Sequence, residues 1–307
     1  MKSTKIKKSA MNDKKKINIQ NLKNEYIGRG LSTICGVLIV VLTLSIIVFV
    51  ASKGLKLFSS GYSIQEFLTS MKWAPDADKP KYGALIFIAG STFVSIGAVI
   101  ISAPISVALA IFMNHISPKL GKKVLQPALE LFVGIPSVVY GWLGLSILLP
   151  VVKKIFGGTG FSLLSGIIVL SVMILPTIAS ISSDAIKNVP KSYVSASYGL
   201  GATRWQTIVK VIVPSAKNGI LTAIILGLAR AFGEALAVQM VIGNSIKFPK
   251  LLNPTSTLTG AITMDMANTV EGTPWNDALW SLAFLLLIMS FIFIAIIKVV
   301  SKRGEAS

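Results

Sequence analysis

The sequence is poor in the residues that enzymes most often use for acid–base and metal chemistry. Its 307 residues include one histidine, His115, and one cysteine, Cys35. A single cysteine excludes an intramolecular disulfide framework, and a single histidine excludes most zinc sites and most histidine-based catalysis. No GxxxxGK[ST] string occurs, so the chain is not expected to bind and hydrolyse a nucleotide through its own P-loop. We therefore expect a non-enzymatic chain that binds no metal or cofactor.

Acidic residues are also scarce, because 12 Asp and Glu stand against 30 Lys and Arg, for a formal net charge of +18. Nine of the basic residues lie within residues 1–30, ahead of the first apolar run. Such a tail is typical of a positive-inside topology signal that also meets anionic lipid. The charge distribution therefore favours a lipid bilayer as partner and disfavours nucleic acid.

Apolar residues are abundant: 53% of the chain is hydrophobic and the mean hydropathy is +0.73. A soluble domain cannot bury that much apolar surface, so an all-α polytopic membrane protein is predicted. A helix that crosses a bilayer needs about 20 apolar residues. Six runs meet this requirement: Leu31–Ala51, Gly83–Met113, Val124–Pro150, Phe161–Ile181, Gly219–Gly243 and Ala278–Val300.

The six runs also predict the domain organisation and the orientation in the membrane. With the amino terminus inside, 20 of the 30 basic residues lie on the inner side and nine on the outer side. Both termini are therefore predicted to be cytoplasmic. The long outer connections either dock an external partner or are ordinary ordered loops. The predicted segments are a basic tail (1–30), a first transmembrane helix (31–51), an outer loop (52–82), a transmembrane domain (83–300) with a polar inner insert (182–218) and an outer loop (244–277), and a short tail (301–307).

The fifth run carries charged residues inside the membrane. Arg230 lies near its middle, where an unpaired charge costs roughly 3 kcal/mol on insertion scales. Glu234 follows four residues later, on the same face of a continuous helix, so that the two side chains can pair. Beside them runs a ridge of small residues that favours close approach of another helix: Gly219, Ala223, Gly227, Ala231 and Ala235. Two interpretations stay open. The two residues form a structural ion pair, or they line a pathway in which Arg230 meets a passing oxyanion and Glu234 holds the Arg230 side chain in place.

The third run contains a carboxylate and helix-breaking residues. Glu130 lies near its start and is followed by Gly134 and Pro136. These residues predict a broken or kinked helix. Transporters line cavities with such breaks, and a packing kink is the alternative. Glu130 is therefore a further candidate for the pathway.

The polar insert 182–218 is predicted to hold two helices. Asn188 is a candidate cap for a helix that Pro190 begins, Gly201 interrupts that helix, and Thr203 restarts it towards the fifth run. An interfacial helix that rests on lipid is one interpretation. A contact that a soluble partner grips is the other.

The sequence of the insert resembles a known motif. Ser195-Ala-Ser-x3-Gly201-x9-Val211-x-Val213-Pro214 is similar to the Glu-Ala-Ala-x3-Gly-x9-Ile-x-Leu-Pro motif of ABC importer permeases. Ser195 stands where the motif has Glu. In that family the motif forms the coupling helix that docks into the ATPase subunit, so we call 182–218 the coupling segment. The resemblance implies these coupling residues: Tyr193, Ser195, Ala196, Ser197, Gly201, Ala202, Thr203, Arg204 and Pro214.

Three further strings narrow the resemblance. Glu130–Gly141, Met173–Ala179 and Ala229–Val238 are similar to the permeases of the high-affinity phosphate importer. Within these permeases, the strings Ser137–Gly141 and Met240–Asn244 resemble the C-type subunit more than the A-type subunit. The resemblance implies the type I importer permease fold, with six transmembrane helices, in a bacterial cytoplasmic membrane. It implies a heterodimer with a second similar permease, two ATP-binding cassette subunits that use ATP and Mg²⁺, and an extracytoplasmic phosphate-binding protein. Arg230 and Glu234 match the family's charged residues that are linked to phosphate passage.

Several alternatives stay open from the sequence. The same machine could carry another oxyanion, such as sulfate, molybdate or phosphonate, because an arginine alone does not separate these anions. A non-transporting sensor or scaffold would need no ATPase, which the lever-like coupling segment argues against. A secondary transporter is disfavoured because inverted repeats are not evident. The resemblance also implies a regulatory link to a phosphate-sensing kinase system in some bacteria.

Overall fold

The computed structural model describes the backbone of residues 2–303 and the side chains of residues 28–296, 298 and 299. The side chains of residues 1–27 lie outside these described residues, and so do residues 304–307. Part of each predicted tail is therefore not described. The described chain is mostly helical, as the sequence predicts. Its α-helices and strands are α1 (Lys2–Gly54), α2 (Lys56–Ser59), α3 (Ile64–Thr69), β1 (Trp73–Ala74), β2 (Lys81–Tyr82), α4 (Leu85–Ile111), α5 (Pro118–Leu120), α6 (Gln126–Gly134), α7 (Ser137–Leu143), α8 (Leu149–Phe156), α9 (Leu163–Lys187), α10 (Lys191–Gly199), α11 (Arg204–Thr207), α12 (Val213–Ser215), α13 (Lys217–Gly233), α14 (Leu236–Ile242), α15 (Leu258–Asp265) and α16 (Pro274–Arg303).

Single turns of other helix types join several of these helices. A 3₁₀ turn, Met266–Asn268, follows α15. Four segments are π-helical: Phe112–Ile116, Gly121–Leu125, Gly144–Leu148 and Ile208–Ile212. π-helical turns are rare and frequently occur at functional sites.

The chain forms two compact units, one up to Ser52 and one from Lys53 onward. In the first unit, the apolar side chains of α1 from Leu31 to Phe49 are almost all exposed. An exposed apolar helix of this length is typical of a membrane span rather than of a soluble surface.

The described residues include five helices that are long and apolar enough to cross a membrane. A sixth span is counted if two helices joined by a 66° bend, Arg204–Ser215 and Lys217–Gly233, are taken together. The predicted polytopic architecture is confirmed. The five spans are Gly28–Ser59, Leu85–Ile116, Ser137–Phe156, Leu163–Lys187 and Pro274–Ile296.

The core of the second unit is built on α4 and α9, which pack along much of their length, with α13 against both. The small-residue ridge of α13 lies against α9. A Cβ added to Gly219 would lie 2.4 Å from the Cβ of Ala185, and one added to Gly227 would lie 2.5 Å from Ile178. The predicted close approach of another helix to this ridge is therefore confirmed.

The third predicted span is not one continuous helix. α6 ends at Gly134, Ile135 is extended, and Pro136 precedes α7. The Tyr140 hydroxyl donates to the carbonyl oxygen of Phe132 at 2.7 Å, which satisfies a backbone acceptor next to the break. The predicted break at Gly134–Pro136 is confirmed, and the apolar span begins only after it, at Ser137.

The fifth predicted span is also interrupted, and here the prediction of a continuous Gly219–Gly243 helix is wrong. α13 ends at Gly233, and Glu234 has extended backbone angles (φ −76°, ψ 125°). α14 then begins at Leu236. Gly233 is a weak helix former, and the Glu234 carboxylate stabilises the start of the next helix, as the following subsection describes.

The outer connections are ordered and pack on the bundle. β1 and β2 form a short antiparallel ladder in which Trp73 pairs with Tyr82. These two rings join a buried cluster with Phe87 and with Leu258 from the 244–277 connection. The backbone of that connection passes so close to α4 that a Cβ on Gly90 would lie 2.0 Å from the carbonyl oxygen of Ser256.

Candidate functional site

Arg230 lies in the last turn of α13 and is half-buried. Its Nη1 donates to Oγ1 of Thr177 on α9 at 2.8 Å. Tyr140 on α7 lies within electrostatic range of the guanidinium. In the described part of the chain no carboxylate forms an ion pair with Arg230. A neutral hydroxyl is thus its hydrogen-bond partner, and the positive charge is left available to an anion.

Glu234 lies at the break between α13 and α14, where its oxygen atoms accept hydrogen bonds. Its Oε1 accepts from the backbone N–H of Ala237 at 3.1 Å, and its carbonyl oxygen accepts from Oγ1 of Thr259 at 2.9 Å. The predicted i, i+4 pairing with Arg230 is wrong, because the helix that would place both on one face ends at Gly233. The Glu234 carboxylate, just before α14, instead satisfies a free N–H of the first turn and interacts favourably with the helix dipole.

A very small cavity lies beside Glu234. Its volume is about 10 Å³, and hydroxyl-bearing residues supply much of its wall: Ser91, Ser95, Thr257 and Thr259. This volume is about that of one water position, so the cavity does not admit a tetrahedral oxyanion. In this conformation the space next to Glu234 is closed.

Glu130 is not brought to the same place. It is exposed on α6 and accepts from Nε2 of Gln126 at 3.3 Å. Within the described residues no hydrogen bond or ion pair joins it to Arg230 or Glu234. Its place in a pathway stays a prediction.

The coupling segment folds into two helices that meet at a tight corner. α10 ends at Gly199, and Gly201 has a positive φ of 79°. Thr203 then caps α11: its Oγ1 accepts from the N–H of Gln206, and the Gln206 side chain accepts from the N–H of Thr203. The restart predicted at Thr203 is confirmed. The prediction for Asn188 is wrong, because α9 continues to Lys187 and Asn188 lies at its carboxyl end, while Pro190 occupies the cap position of α10.

One buried contact joins the two helices at the corner. Oγ of Ser197 lies 3.0 Å from Oγ1 of Thr207, and both residues are buried. The two helices together form one surface. The other predicted coupling residues lie around it, and the exposed ones are Tyr193, Ser195, Ala196, Arg204 and Pro214, with Ala202 half-buried.

This surface is an open groove edged by large apolar side chains. Its volume is about 600 Å³. Leu200, one of its lining residues, is 90% exposed, and Trp205 on α11 of the same segment is 64% exposed. The groove is lined by Tyr193, Ala196, Ser197, Leu200, Gly201, Ala202, Gln206, Lys210 and Val211. Exposed apolar and aromatic side chains around a groove mark an interaction surface.

Two connections join this surface to the bundle. Nη2 of Arg204 donates to the carbonyl oxygen of Ile116, in the π-helical turn that extends α4, at 3.2 Å. The helix that begins at Arg204 continues to Ser215 and turns by 66° at Ala216 into α13, the helix that carries Arg230. The groove is thus connected to α4 and to the helix that carries Arg230.

Sequence reasoning missed Thr177 and Tyr140 as neighbours of Arg230. Both residues lie in strings that carried the resemblance, Met173–Ala179 and Glu130–Gly141. Those strings were the available signal, but a spacing within one helix does not reveal a contact between helices.

The chain is similar to known transport proteins over most of its length. It is 52% identical over 285 residues to the "Probable ABC transporter permease protein YqgH" of Bacillus subtilis, with 92% of each chain covered. It is 32% identical over 261 residues to the "Phosphate transport system permease protein PstC" of Mesorhizobium japonicum, with 78% of this chain and 79% of that protein covered.

A solved structure has the same fold. A chain of a bacterial alginate ABC transporter, solved in complex with an alginate pentasaccharide-bound periplasmic protein, superposes with a TM-score of 0.61 at 15% identity. The match covers 91% of this chain and 97% of that chain. At this identity the likeness shows the fold alone, the type I ABC importer permease fold.

The family match covers more than half of the chain. Residues 106–304 match the family described as "Binding-protein-dependent transport system inner membrane component". This range includes the coupling segment, Arg230 and Glu234. The chain therefore belongs to this family of multi-pass membrane permeases.

Proposed function

We propose that the chain is the permease subunit of an ATP-driven importer of inorganic phosphate. The observation that carries the proposal is the state of Arg230: a half-buried guanidinium whose partner is the neutral Thr177 hydroxyl. A guanidinium has five N–H donors in a planar fork that matches an oxyanion. The PstC permeases at about one-third identity support phosphate as the cargo.

The coupling segment is the proposed docking site for the ATPase. Its groove, lined in part by the exposed Leu200, receives an ATP-binding cassette subunit on the cytoplasmic side, and the exposed Trp205 of the same segment adds apolar surface. ATP and Mg²⁺ belong to that partner, and the chain itself breaks no bond. Two such subunits, a second similar permease and an extracytoplasmic phosphate-binding protein complete the assembly. Both termini are then cytoplasmic, in agreement with the positive-inside distribution.

The mechanism follows from the connections between the groove and the bundle. When the ATPase subunits close on ATP, they move the corner at Gly201. The Arg204–Ile116 hydrogen bond carries this movement to α4, and the bend at Ala216 carries it to α13. The closed space beside Glu234 then opens towards the outside, and phosphate passes Arg230 after hydrolysis resets the bundle.

Reconstitution of the complete assembly into vesicles tests the proposal. ATP-dependent uptake of labelled phosphate is expected, without competition from sulfate or molybdate. Arg230→Gln should abolish uptake, and Arg230→Lys, which keeps the charge and loses the planar fork, should retain only part of it. Competition by sulfate or molybdate without accumulation of phosphate would exclude phosphate as cargo. Normal uptake by the assembled Arg230→Gln variant would exclude the pathway role.

The regulatory link to a phosphate-sensing kinase stays a prediction. Arg230→Gln offers a way to separate the two roles, because it removes the proposed pathway charge and leaves the exposed surfaces intact. A kinase reporter that still responds to phosphate in cells with this variant would show that signalling does not depend on transport.

A further inference from the structure

We propose that Thr177 is a positioning residue for the pathway arginine: its hydroxyl fixes the orientation of the Arg230 guanidinium and leaves the other edge of the fork open to the oxyanion. This inference rests on the proposed function, because it assigns a partner to the residue that is proposed to meet phosphate. The observation is the 2.8 Å hydrogen bond from Nη1 of Arg230 to Oγ1 of Thr177.

The chemistry of the partner decides what the arginine can do. A carboxylate at this place would neutralise the guanidinium and occupy two of its donors, as in a bidentate ion pair. A hydroxyl accepts one N–H and adds no charge. The edge formed by Nε and Nη2 then keeps two parallel donors, the arrangement that binds an oxyanion in a bidentate manner.

The position of Thr177 in the fold suits this role. It follows Pro176 within α9, and its neighbours Ile174 and Ile178 are fully buried. α9 packs against both α4 and α13, so the Thr177 hydroxyl is presented from a helix that is packed on two sides. Arg230, by contrast, lies one turn from the end of α13 at Gly233, where the helix gives less support. The continuous helix thus orients the side chain of the interrupted one.

Thr177→Val tests the role, because valine keeps the shape and removes the acceptor. The vesicle assembly described above is used, with labelled phosphate and saturating external binding protein. The amount of phosphate imported per ATP hydrolysed is expected to fall about tenfold, the usual effect of losing a hydrogen bond to a charged group. Thr177→Ser should restore the ratio. The matched control is Thr222→Val on α13, whose hydroxyl donates to the carbonyl oxygen of its own helix at Asn218.

A spectroscopic measurement separates positioning from simple packing. The chain contains four arginines, so solid-state NMR of the assembly with this chain alone ¹⁵N-arginine labelled is tractable. The Arg230 signal is assigned by its loss in Arg230→Gln. Its two Nη resonances should differ in the wild type and merge in Thr177→Val, because the bond to Nη1 is gone.

The outcomes distinguish this inference from the function on which it rests. Normal transport by Arg230→Gln would overturn the proposed pathway and the inference together. Loss of transport in Arg230→Gln with a normal phosphate-to-ATP ratio in Thr177→Val would overturn the role of Thr177 alone. A Thr177→Val variant that lowers uptake and ATP hydrolysis in equal proportion, with unchanged Nη resonances, would identify Thr177 as a packing residue and also overturn the inference.

Discussion

The coupling segment (182–218) and the outer segment (244–277) are connections of similar length with opposite surfaces. In the coupling segment, Leu200 and Trp205 are exposed, and Leu200 lines an open groove. In the outer segment, the stretch from Thr255 to Ala261 is buried against α4, and the N–H of Leu258 donates to Oγ of Ser91 at 2.9 Å. The difference indicates that the coupling segment is shaped for a partner, whereas this part of the outer segment completes the bundle.

The largest effect is expected from overpacking the outer segment. Gly90→Leu would place a Cβ 2.0 Å from the carbonyl oxygen of Ser256, and backbone cannot move aside as a flexible side chain can. We expect a loss of about 3 kcal/mol or more, and little folded protein. The measurement is the yield and thermal midpoint of the purified chain. Gly36→Ala, where nothing lies within 4 Å, is the control. A stable Gly90→Leu chain would contradict the packing of this segment.

A second test removes two exposed apolar side chains of the coupling segment. Leu200→Ser with Trp205→Ala should weaken ATPase binding by about 2–4 kcal/mol, because exposed aromatic and aliphatic anchors dominate interfaces. Thermal stability of the isolated chain should not change, since both side chains are exposed. ATPase capture by the detergent-solubilised permease measures the effect. The control is Val270→Ser in the outer segment, a side chain that is 73% exposed. Undiminished binding by the double variant would exclude the groove as the docking site.

The corner of the coupling segment gives a smaller effect. Gly201 has φ +79°, and nothing lies within 4 Å of its missing Cβ, so conformation and not space selects glycine. Gly201→Val should cost about 1–2 kcal/mol in the left-handed region and lower the transport obtained per ATP hydrolysed. Gly201→Asn should stay close to the wild type, because asparagine tolerates this region. Equal transport per ATP in both variants would count against the corner as a lever.

The pH dependence of the outer segment is smaller still. Burial raises the pKa of Asp265, and interaction with the Trp73 side chain opposes this. Because the folded pKa lies above the unfolded value, stability decreases as the pH rises from the unfolded pKa through the folded one. Asp265→Asn should flatten this decrease and raise the free energy of unfolding at neutral pH by less than about 1 kcal/mol after solvent screening. Thermal unfolding across acidic to neutral pH measures it, and an unchanged pH profile would contradict the assignment.

The smallest effect is expected at the outer surface. The pKa of Glu271 is lowered by its hydrogen bond and charge interaction with Lys53, and Glu271 is fully exposed. A lowered folded pKa adds stability above the unfolded pKa, and this stability is lost as the pH falls. An exposed ion pair contributes little, so Glu271→Gln should leave the thermal midpoint unchanged within error. A clear destabilisation would mean that the outer surface is more tightly organised than its exposure indicates.

Much of the architecture was predictable from the apolar runs and from the residues that break or cap helices. The apolar runs indicated a polytopic bundle, Gly134 and Pro136 marked a real break, and Thr203 marked a real helix start. The ridge of small residues correctly predicted a close helix contact. These features are local, because a helix breaker or a cap acts within one turn of itself.

The arrangement around Arg230 was not predictable in the same way. Arg230 and Glu234 have ideal i, i+4 spacing, yet the chain turns away at Gly233 and Glu234 caps α14. Nothing in the spacing distinguishes a continuous helix from one that a carboxylate restarts. The prediction that Asn188 caps the next helix was wrong for a related reason, since α9 extends past the expected boundary, to Lys187.

The sequence by itself determined the membrane class, the helical content and the coupling motif, since apolar length, charge bias and residue order do not depend on distant contacts. Only the tertiary structure decided the partner of Arg230, because Thr177 is 53 residues away along the chain and is brought close by packing of α9 against α13. Tertiary packing also decided which connection is exposed. A polar segment becomes surface or core according to what the bundle places against it.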